Sequence, residues 1–337
     1  MPLKSWITRV VDRQDLSQEE MRAAMDTVMA GQATDAQIGA FLVGLRLKGE
    51  TVDEITGAAS AMRACVARVE HQLPTVLDTC GTGGDGAGTF NISTAVSLVC
   101  AGAGVPVAKH GNRAISSRSG SADVLEALGV RLELPLERST QILNSVGFSF
   151  LFAPAHHPAM RHVAAARRQL GVRTVMNLLG PLTNPAGATH QLVGIYDGSR
   201  IEVVAEVLGR LGARRALVVH GHDGLDEISP CGPTEIAEWH GKGVQRMTTS
   251  PEDIGLNRVQ PEAIAGGDAA ENATIISSIL SGEPGPARTT VVLNAAWALY
   301  AAEAASSPSE GRELAERSID SGHAQQTLQR LRMETQS

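Results

Sequence analysis

A glycine-rich turn between a short apolar run and a helix-forming segment constrains the fold of this chain more than any other feature. Residues 81–86 read Gly-Thr-Gly-Gly-Asp-Gly; the run Thr75–Cys80 precedes them, and a helix is predicted to begin near Ser93. Strands that alternate with helices form mostly parallel sheets with helices on both faces. The sequence therefore predicts an α/β fold with a mostly parallel central sheet, whose further strands are Val105–Ala108, Gln191–Tyr196 and Arg215–His220.

The first part of the chain has a different, wholly helical pattern. It contains capping boxes, in which a hydroxyl accepts from a free backbone amide while a Glu or Gln side chain bonds back to the cap residue. Glycines stand where two of these helices should end. The boxes are Ser17/Glu20, Thr34/Gln37 and Thr51/Glu54, and the glycines are Gly31 and Gly49. Residues 1–70 are therefore predicted to form a small all-helical domain.

Towards the C-terminus the pattern predicts a hairpin followed by helices. The runs Glu235–Trp239 and Val244–Thr249 flank Gly241 and are expected to pair as adjacent strands. Thr289–Ala305 and Gly311–Arg332 are each expected to form one helix.

Composition excludes several classes of protein. The formal net charge is -7, whereas a surface that binds duplex nucleic acid needs a basic face. The four cysteines are far apart and form no C-x-x-C pair, which favours reduced thiols over a disulfide framework or a zinc site. Neither a signal peptide nor an apolar run of about 18 residues is found. We therefore expect a cytoplasmic protein that binds neither nucleic acid nor membrane.

The glycine-rich turn is a candidate anion site. Glycines let the backbone approach an anion, and the free amides of a helix start supply donors and partial positive charge. The alternative is a plain strand-to-helix turn. Residues 81–86 also fit the dinucleotide pattern G-x-G-x-x-G, which needs an acidic residue at the end of the second strand. That strand instead ends in the basic sequence Lys109–Arg113, which disfavours NAD and leaves NADP as a weak alternative.

A basic, serine-rich loop follows the second strand. Lys109 and Arg113 are suited to phosphate oxygens, and serines at positions 116, 117, 119 and 121 add further donors. The alternative is a solvated charge pair, which is all that Arg118 need be. Because open parallel sheets bind ligands at the carboxyl ends of their strands, two such loops in succession predict one extended ligand with several negative charges.

An acidic pair, Asp226-Glu227, follows the strand that ends at His220. Adjacent carboxylates on a loop suit Mg²⁺ that also binds phosphates, whereas on their own they would more often be a solvated pair. The phosphate loops favour the magnesium interpretation. His220 and His222 form an H-x-H pattern, but zinc would need a third ligand that the sequence does not indicate.

A fourth segment contains His156-His157-Pro158 and Arg167-Arg168. Either arginine could hold a carboxylate with two hydrogen bonds, although arginines on helix surfaces are usually only solvated. The residues alone assign this segment no role.

Together these motifs resemble anthranilate phosphoribosyltransferase, in order and along nearly the whole chain. GTGGD is shared with pyrimidine nucleoside phosphorylases, whereas KHGNR followed by NLLGPLTNP is more specific to the anthranilate enzymes. Met176 departs from the family pattern, at a position with no expected function. The matching motifs are Gly81–Asp85, Asn91–Thr94, Lys109–Arg113, Ser119–Asp123, His157-Pro158, Arg173–Pro185 and Asp226-Glu227.

The resemblance implies a homodimer with its active site between two domains of each subunit. The helical domain, residues 1–70, would be completed by about 166–187, and the α/β domain would comprise 71–165 and 188–337. The enzyme would transfer the phosphoribosyl group of phosphoribosyl pyrophosphate (PRPP) to anthranilate, in tryptophan biosynthesis. No catalytic nucleophile is expected, because an aryl amine is already neutral at pH 7 and the main demand is electrostatic.

The family's functional residues transfer to matching positions in this sequence. Those expected to bind up to two Mg²⁺ ions are Ser93, Asp226 and Glu227. Those expected to bind anthranilate are Gly81, Asn112, His157, Arg167, Gly180 and Pro181. Those expected to bind PRPP are Gly81, Gly84, Asp85, Thr89, Asn91, Ile92, Ser93, Thr94, Lys109, His110, Gly111, Asn112, Arg113, Ala114, Ile115, Ser116, Ser117 and Ser121.

Two other functions of this fold remain as alternatives. A pyrimidine nucleoside phosphorylase would cleave thymidine or uridine with phosphate, and the KHGNR loop disfavours it. A non-catalytic relative that binds nucleic acid would need a basic surface and would have no reason to keep Asp226-Glu227 together with Arg167.

Overall fold

The fold is described here from a computed structural model, which covers residues 3–114 and 118–336. Its strands are β1 Leu77–Gly81, β2 Val107–Gly111, β3 Phe148–Phe152, β4 His190–Gly194, β5 Arg215–Gly221, β6 Thr234–Trp239 and β7 Val244–Thr249. Its α-helices are α1 Leu3–Val11, α2 Gln18–Met29, α3 Asp35–Lys48, α4 Val52–Ala64, α5 Ile92–Gly102, α6 Ser121–Ala127, α7 Leu136–Val146, α8 Ala153–His156, α9 Arg161–Leu170, α10 Leu179–Leu182, α11 Ile201–Arg210, α12 Ala269–Leu280, α13 Pro286–Ala301, α14 Pro308–Asp320 and α15 His323–Gln336.

The seven strands form one mixed sheet in the order β3-β2-β1-β4-β5-β6-β7. The first five strands of that order run parallel, and β6 and β7 add an antiparallel edge. The chain leaves β1 towards β2 and leaves β4 towards β5, so the strand order reverses between β1 and β4. The predicted α/β fold with a mostly parallel sheet is confirmed, as is the β6–β7 hairpin.

Helices cover both faces of the sheet. Along β5, Leu217 and Val219 pack with α5 and α12–α15, whereas Ala216 and Val218 pack with α11 and the N-terminal helices. This alternation follows from the two-residue period of a strand. Val163 of α9 and Leu179 of α10 lie in the same core as residues of α1–α4. The completion of the helical domain by about 166–187 stays a prediction.

The helix signals of the N-terminal region are confirmed. Ser17, Thr34 and Thr51 each cap a helix in a complete capping box. Gly31 and Gly49 follow α2 and α3 with φ of 71° and 90°, a left-handed region that favours glycine.

Two predictions at the level of secondary structure were wrong or incomplete. The single helix predicted for Gly311–Arg332 is two helices, because Gly322 has φ of 77° between α14 and α15. β3 was missed, although its run Phe148–Phe152 is entirely buried and follows Gly147. No helix in the described part of the chain is both long and apolar enough to span a membrane.

Candidate active site

The predicted binding segments lie at the point where the strand order reverses. Gly81 at the end of β1 pairs with Gly194 at the end of β4. Open α/β sheets leave a crevice at the carboxyl ends of two such strands, since the connections depart in opposite directions. The glycine turn, defined here as residues 81–88, begins at this point.

Two glycines make room for Asp226 above the strand ends. A Cβ atom on Gly194 would lie 1.5 Å from the Asp226 carbonyl oxygen, and one on Gly81 would lie 2.8 Å from its Oδ2 atom. Neither position accepts a side chain without moving Asp226. The sequence predicted a role for Gly81 but gave no signal for Gly194, because its partner is 32 residues away and in a loop.

Asp226 is held against the glycine turn in a cluster of carboxylates. The Gly83 amide donates to Asp226 Oδ2 at 2.7 Å, and the Asp226 amide lies 3.5 Å from Asp85 Oδ2. Burial raises the pKa of Asp226 well above its usual range, and Glu227 and Asp85 raise it further. Burial also raises the pKa of Glu227 to about 7, against the opposing charge of Lys109. Such carboxylates need a cation to be stable in ionised form.

The next three amides of the glycine turn have no acceptor. Within residues 3–114 and 118–336, no group accepts a hydrogen bond from the backbone N–H of Gly84, Asp85 or Gly86. Gly83, Gly84 and Gly86 have φ of 64°, 81° and 75°. Successive free amides in such a turn form a concave site for an anion.

The start of α5 connects this turn to β2. Ser93 lies in the first turn of α5, and its Oγ atom accepts from Lys109 Nζ at 3.1 Å. The same ammonium donates to the Thr79 carbonyl at 2.5 Å, and Lys109 is 1% exposed. Burial lowers the pKa of Lys109, whereas the nearby Asp78 and Glu227 raise it. Lys109 therefore bonds both β1 and α5, and its charge lies near Glu227 of the acidic pair.

Asn91 is fixed from two sides. Its amide nitrogen donates to the Ser119 carbonyl at 3.1 Å, and its Oδ1 atom accepts from Asn272 at 2.9 Å. Asn272 is 2% exposed and also accepts from the Gly267 amide. The sequence analysis missed Asn272, since no local motif marks a residue 181 positions away from its partner.

The remaining predicted residues near α5 have different environments. Thr94 is buried, and its hydroxyl has no partner among the described residues. Ile92 lies in the main core, and Thr89 forms an isolated bridge with Ala265.

The basic loop is defined as residues 109–120. Its Arg113 side chain points to acidic residues of α6. The Arg113 guanidinium pairs with Glu126 and Asp123 and lies 5.4 Å from the ring centroid of Phe152. Asp123 Oδ2 accepts from the amides of Ala114 and Gly120, each at 2.9 Å. Ser121 lies beside Gly111, where an added Cβ atom would be 2.9 Å from its hydroxyl. Ile115, Ser116 and Ser117 lie outside the described residues.

His110 of the basic loop contacts His157 and Gly180. His110 Nδ1 bonds the Gly180 carbonyl at 3.1 Å, and His110 Nε2 lies 3.1 Å from His157 Nε2. Because a carbonyl only accepts, His110 carries its proton on Nδ1, and His157 donates from Nε2. Burial lowers the pKa of His110 to about 3 and that of His157 to about 4, so both rings are neutral at pH 7. The Asn112 Oδ1 atom accepts from the Arg113 amide at 2.8 Å.

Arg167 lies on α9 in a partly buried position. Burial lowers its pKa, and within the described part of the chain no hydrogen bond or ion pair engages its guanidinium. The neighbouring Arg168 is exposed. Pro181 contributes its carbonyl to Gln191 at 2.9 Å. A partly buried arginine without a counter-ion is suited to a carboxylate from a ligand.

The acidic cluster fits Mg²⁺ that arrives with phosphates. Asp226 and Glu227 offer hard oxygen ligands, and Ser93 lies within reach of the same ammonium that approaches Glu227. Elsewhere, His220 bonds the Ile195 carbonyl and His222 bonds Glu235, so the H-x-H pair is divided between two partners. Among the described residues, no group of three His, Cys, Asp or Glu side chains could hold a metal by itself. Mg²⁺ commonly completes its shell with substrate phosphates and water.

Known proteins of the same architecture identify the family. The model for "Glycosyl transferase family, helical bundle domain" matches residues 4–66, and that for "Glycosyl transferase family, a/b domain" matches residues 73–325. Anthranilate phosphoribosyltransferase of Myxococcus xanthus (strain DK1622) is 58% identical over 332 residues, which cover 98% of each chain.

Solved structures agree with the sequence match. The crystal structure of anthranilate phosphoribosyltransferase from Thermus thermophilus has a TM-score of 0.94 and 45% identity, covering 98% of this chain and 99% of that one. The Saccharomyces cerevisiae enzyme in complex with PRPP and Mg has a TM-score of 0.91 and 29% identity, covering 99% and 98%. Fold, strand-end site and near-complete sequence match lead to one conclusion: this chain belongs to the anthranilate phosphoribosyltransferase family.

Proposed function

We propose that the protein transfers the phosphoribosyl group of PRPP to the amine of anthranilate, as a step of tryptophan biosynthesis in the cytoplasm. The products are N-(5-phosphoribosyl)anthranilate and pyrophosphate. The observation that carries this proposal is the set of free amides at Gly84, Asp85 and Gly86 beside the carboxylates of Asp226 and Glu227. The amides would bind the diphosphate directly, and the carboxylates would hold the Mg²⁺ that offsets its charge.

The chain's own residues stabilise the leaving group. In the reaction the bond between ribose C1 and the pyrophosphate oxygen breaks, and a bond between C1 and the anthranilate nitrogen forms. Negative charge develops on the pyrophosphate while the sugar becomes oxocarbenium-like. The amides of the glycine turn donate to the departing oxygens without reorganising, which is the form of catalysis that fixed dipoles supply. The proton of the new amine passes to solvent, so no base is required.

Asp226, Glu227 and Ser93 would hold Mg²⁺, with up to two ions per subunit. Bound Mg²⁺ would supply the Lewis acid that offsets the charge of the pyrophosphate. Calorimetric titration with Mg²⁺ in the presence of PRPP measures the number of ions, and a stoichiometry above two would contradict this part of the proposal.

Anthranilate would lie between the neutral histidine pair and Arg167. His110 and His157 are uncharged at pH 7 and adjoin Gly180, so they offer ring faces rather than charge to an aromatic acceptor. Arg167 has no partner within the described residues and would bind the carboxylate.

Replacing Arg167 by alanine tests this assignment. We expect R167A to raise the KM for anthranilate by about tenfold or more, the size of one lost charge-assisted contact, and to change the KM for PRPP far less. Steady-state kinetics with each substrate varied in turn measures both constants. Equal increases in the two constants would show that Arg167 has a structural role.

The activity itself is tested by a fluorescence assay. Purified protein is mixed with anthranilate, PRPP and Mg²⁺, and the loss of anthranilate fluorescence is followed. Parallel reactions contain thymidine or uridine with phosphate in place of the two substrates. Phosphorolysis without loss of anthranilate would favour the nucleoside phosphorylase alternative and would overturn the proposal.

We also propose a homodimer. Val11 and Leu47 are large apolar side chains that remain 62% and 71% exposed on α1 and α3. These two helices pack on each other, and a Cβ atom on Gly44 would lie 3.7 Å from Val11 Cγ2. A second subunit would cover this surface. Light scattering after gel filtration measures the mass, and a monomer at micromolar concentration would contradict the proposal.

A further inference from the structure

Arg173 connects the helical region to the glycine turn. It follows α9, which ends at Leu170, and its Nη2 atom donates to the Gly84 carbonyl. The Arg173 guanidinium carbon also lies 4.0 Å from the ring centroid of Tyr196. A cation above an aromatic face is attracted by the ring, and the planar guanidinium stacks on it. The side chain is therefore oriented by two contacts at once.

Both ends of this connection are themselves fixed. The backbone carbonyl of Arg173 accepts from Arg46 Nη1 of α3. On the other side, the Tyr196 amide donates to Thr82 Oγ1 at 3.1 Å, and the Thr82 amide donates to the Gly194 carbonyl at 2.9 Å. The backbone of Tyr196, on whose ring Arg173 stacks, is thus bonded to the same turn whose carbonyl accepts from Arg173.

Holding the Gly84 carbonyl determines where the next amide points. In a trans peptide the C=O and the following N–H point in opposite directions. With the Gly84 carbonyl bonded to Arg173, the Asp85 N–H is directed away from Arg173. Gly84 has φ of 81°, and an added Cβ atom would lie 3.2 Å from Arg173 Nη2. Because Gly84 has no Cβ atom, the Arg173 guanidinium reaches the Gly84 carbonyl without being displaced.

The charge of Arg173 has no counter-ion in the described residues. Arg113, at the other loop, pairs with two carboxylates, whereas no carboxylate lies within ion-pair distance of Arg173. Its positive charge therefore adds to the field of the free amides. This combination favours an anionic ligand at the turn.

We propose that Arg173 is a positioning residue for PRPP: it fixes the Gly84–Asp85 peptide so that the free amides of the glycine turn are prearranged for the pyrophosphate. The inference rests on the proposed function, because it assigns the ligand of the turn as PRPP. Arg173 acts through the turn and is not required to touch the reacting atoms.

The test compares R173A and R173K with a matched control, R312A. Like Arg173, Arg312 donates to the carbonyl of a left-handed glycine, in this case Gly255 with φ of 72°, at 2.8 Å. It lies on α14, in the opposite layer from the helical region. R312A therefore removes the same kind of contact without touching the glycine turn.

We expect R173A to raise the KM for PRPP about tenfold, the size of one charge-assisted hydrogen bond. The KM for anthranilate should change less than about twofold, since its contacts do not involve the turn. R173K should recover part of the loss, because lysine can donate to the Gly84 carbonyl but does not stack as a plane. R312A should leave both constants unchanged. Without ligand, exchange of the Gly83 amide, which donates to Asp226, should be faster in R173A than in wild type, because the turn is held less firmly.

Three outcomes separate the inference from the proposed function. If wild type neither binds PRPP with Mg²⁺ in calorimetry nor consumes anthranilate, the proposed function is wrong. If wild type does both and folded R173A has an unchanged KM for PRPP, the role of Arg173 is wrong. Equal increases in both constants would likewise overturn it. Should R173A fail to fold, the KM for PRPP and the KM for anthranilate are compared in R173K instead, with the same outcomes deciding.

Discussion

The two loops at the ends of β1 and β2 differ in which of their donors are available to a ligand. In the glycine turn, uncharged amides at Gly84, Asp85 and Gly86 have no partner among the described residues. In the basic loop, the Lys109 ammonium is buried against Thr79 and Ser93, and the Arg113 guanidinium pairs with Glu126. The loop whose charge best suits phosphate therefore uses its cations for internal contacts. The glycine turn, which has no cationic side chain, offers the free donors.

This difference has a physical origin. A buried ammonium is stable only beside carboxylates and carbonyls, and an exposed guanidinium readily pairs with an adjacent helix. Backbone N–H groups are all donors and cannot bond one another. The amides of Gly84, Asp85 and Gly86 therefore remain available to a ligand without conformational change. The following predictions test the contrast, beginning with the largest expected effect.

Removing the Lys109 charge should reduce stability strongly. K109M leaves Asp78 and Glu227 without the cation that opposes their burial, and we expect a loss of about 3–5 kcal/mol in the free energy of unfolding. Urea denaturation measures it. K242M, at an exposed lysine beside Gly241, is the control and should leave the free energy of unfolding unchanged. A stable K109M with a raised KM for PRPP would show that the ammonium serves the ligand instead.

Neutralising the carboxylates beside the glycine turn should reduce turnover. D226N retains an oxygen that can accept from Gly83, but it loses the charge that we propose would hold Mg²⁺. We expect kcat to fall by about 10²-fold or more, and the same for E227Q, because stabilisation of the leaving group is lost. Wild-type turnover of either variant under limiting Mg²⁺ would refute the metal assignment.

The histidine pair should make stability depend on pH below neutrality. The folded-state pKa values of His110 and His157 are lowered to about 3 and about 4, so the unfolded chain takes up protons first as the pH falls below about 6.5. Their contribution is present above that pH and is lost as the pH falls towards 4. Between pH 7 and pH 5, H157Q should lose roughly 1–2 kcal/mol less stability than wild type. Identical losses in urea denaturation would contradict the neutral pair.

Removing the Arg113 side chain should have the smallest effect. The pair with Glu126 is exposed, so R113A should cost at most about 1 kcal/mol of stability. The KM for PRPP should rise less than about threefold, in contrast to the tenfold rise expected for R173A. A tenfold increase for R113A would mean that the guanidinium leaves Glu126 when PRPP binds, and the contrast between the two loops would fail.

The sequence predicted features that depend on neighbouring residues. The capping boxes at Ser17, Thr34 and Thr51 are satisfied within one helical turn, so their chemistry is visible locally. The strand-end turns were found for the same reason, since glycine and hydroxyl residues follow apolar runs directly. The Gly322 break was missed because an apolar pattern continues through it.

Other parts of the site depend on contacts between distant segments. Gly194 is required because Asp226 lies above it, and Asn272 because it holds Asn91. Whether Arg113 faces a ligand or Glu126 is decided by where α6 places Glu126, which the loop sequence alone does not determine. Residue types predicted the class of ligand, whereas the fold determines which donors remain for it.

The pairing of Gly81 with Gly194 has a consequence for how acceptor specificity can change. The position of Asp226 is set by main-chain atoms of two central strands rather than by the shapes of surrounding side chains. The wall formed by His110, His157 and Gly180, where we propose that anthranilate binds, belongs to other segments. Selection or design can therefore remodel the wall for substituted anthranilates while the phosphate end keeps its geometry.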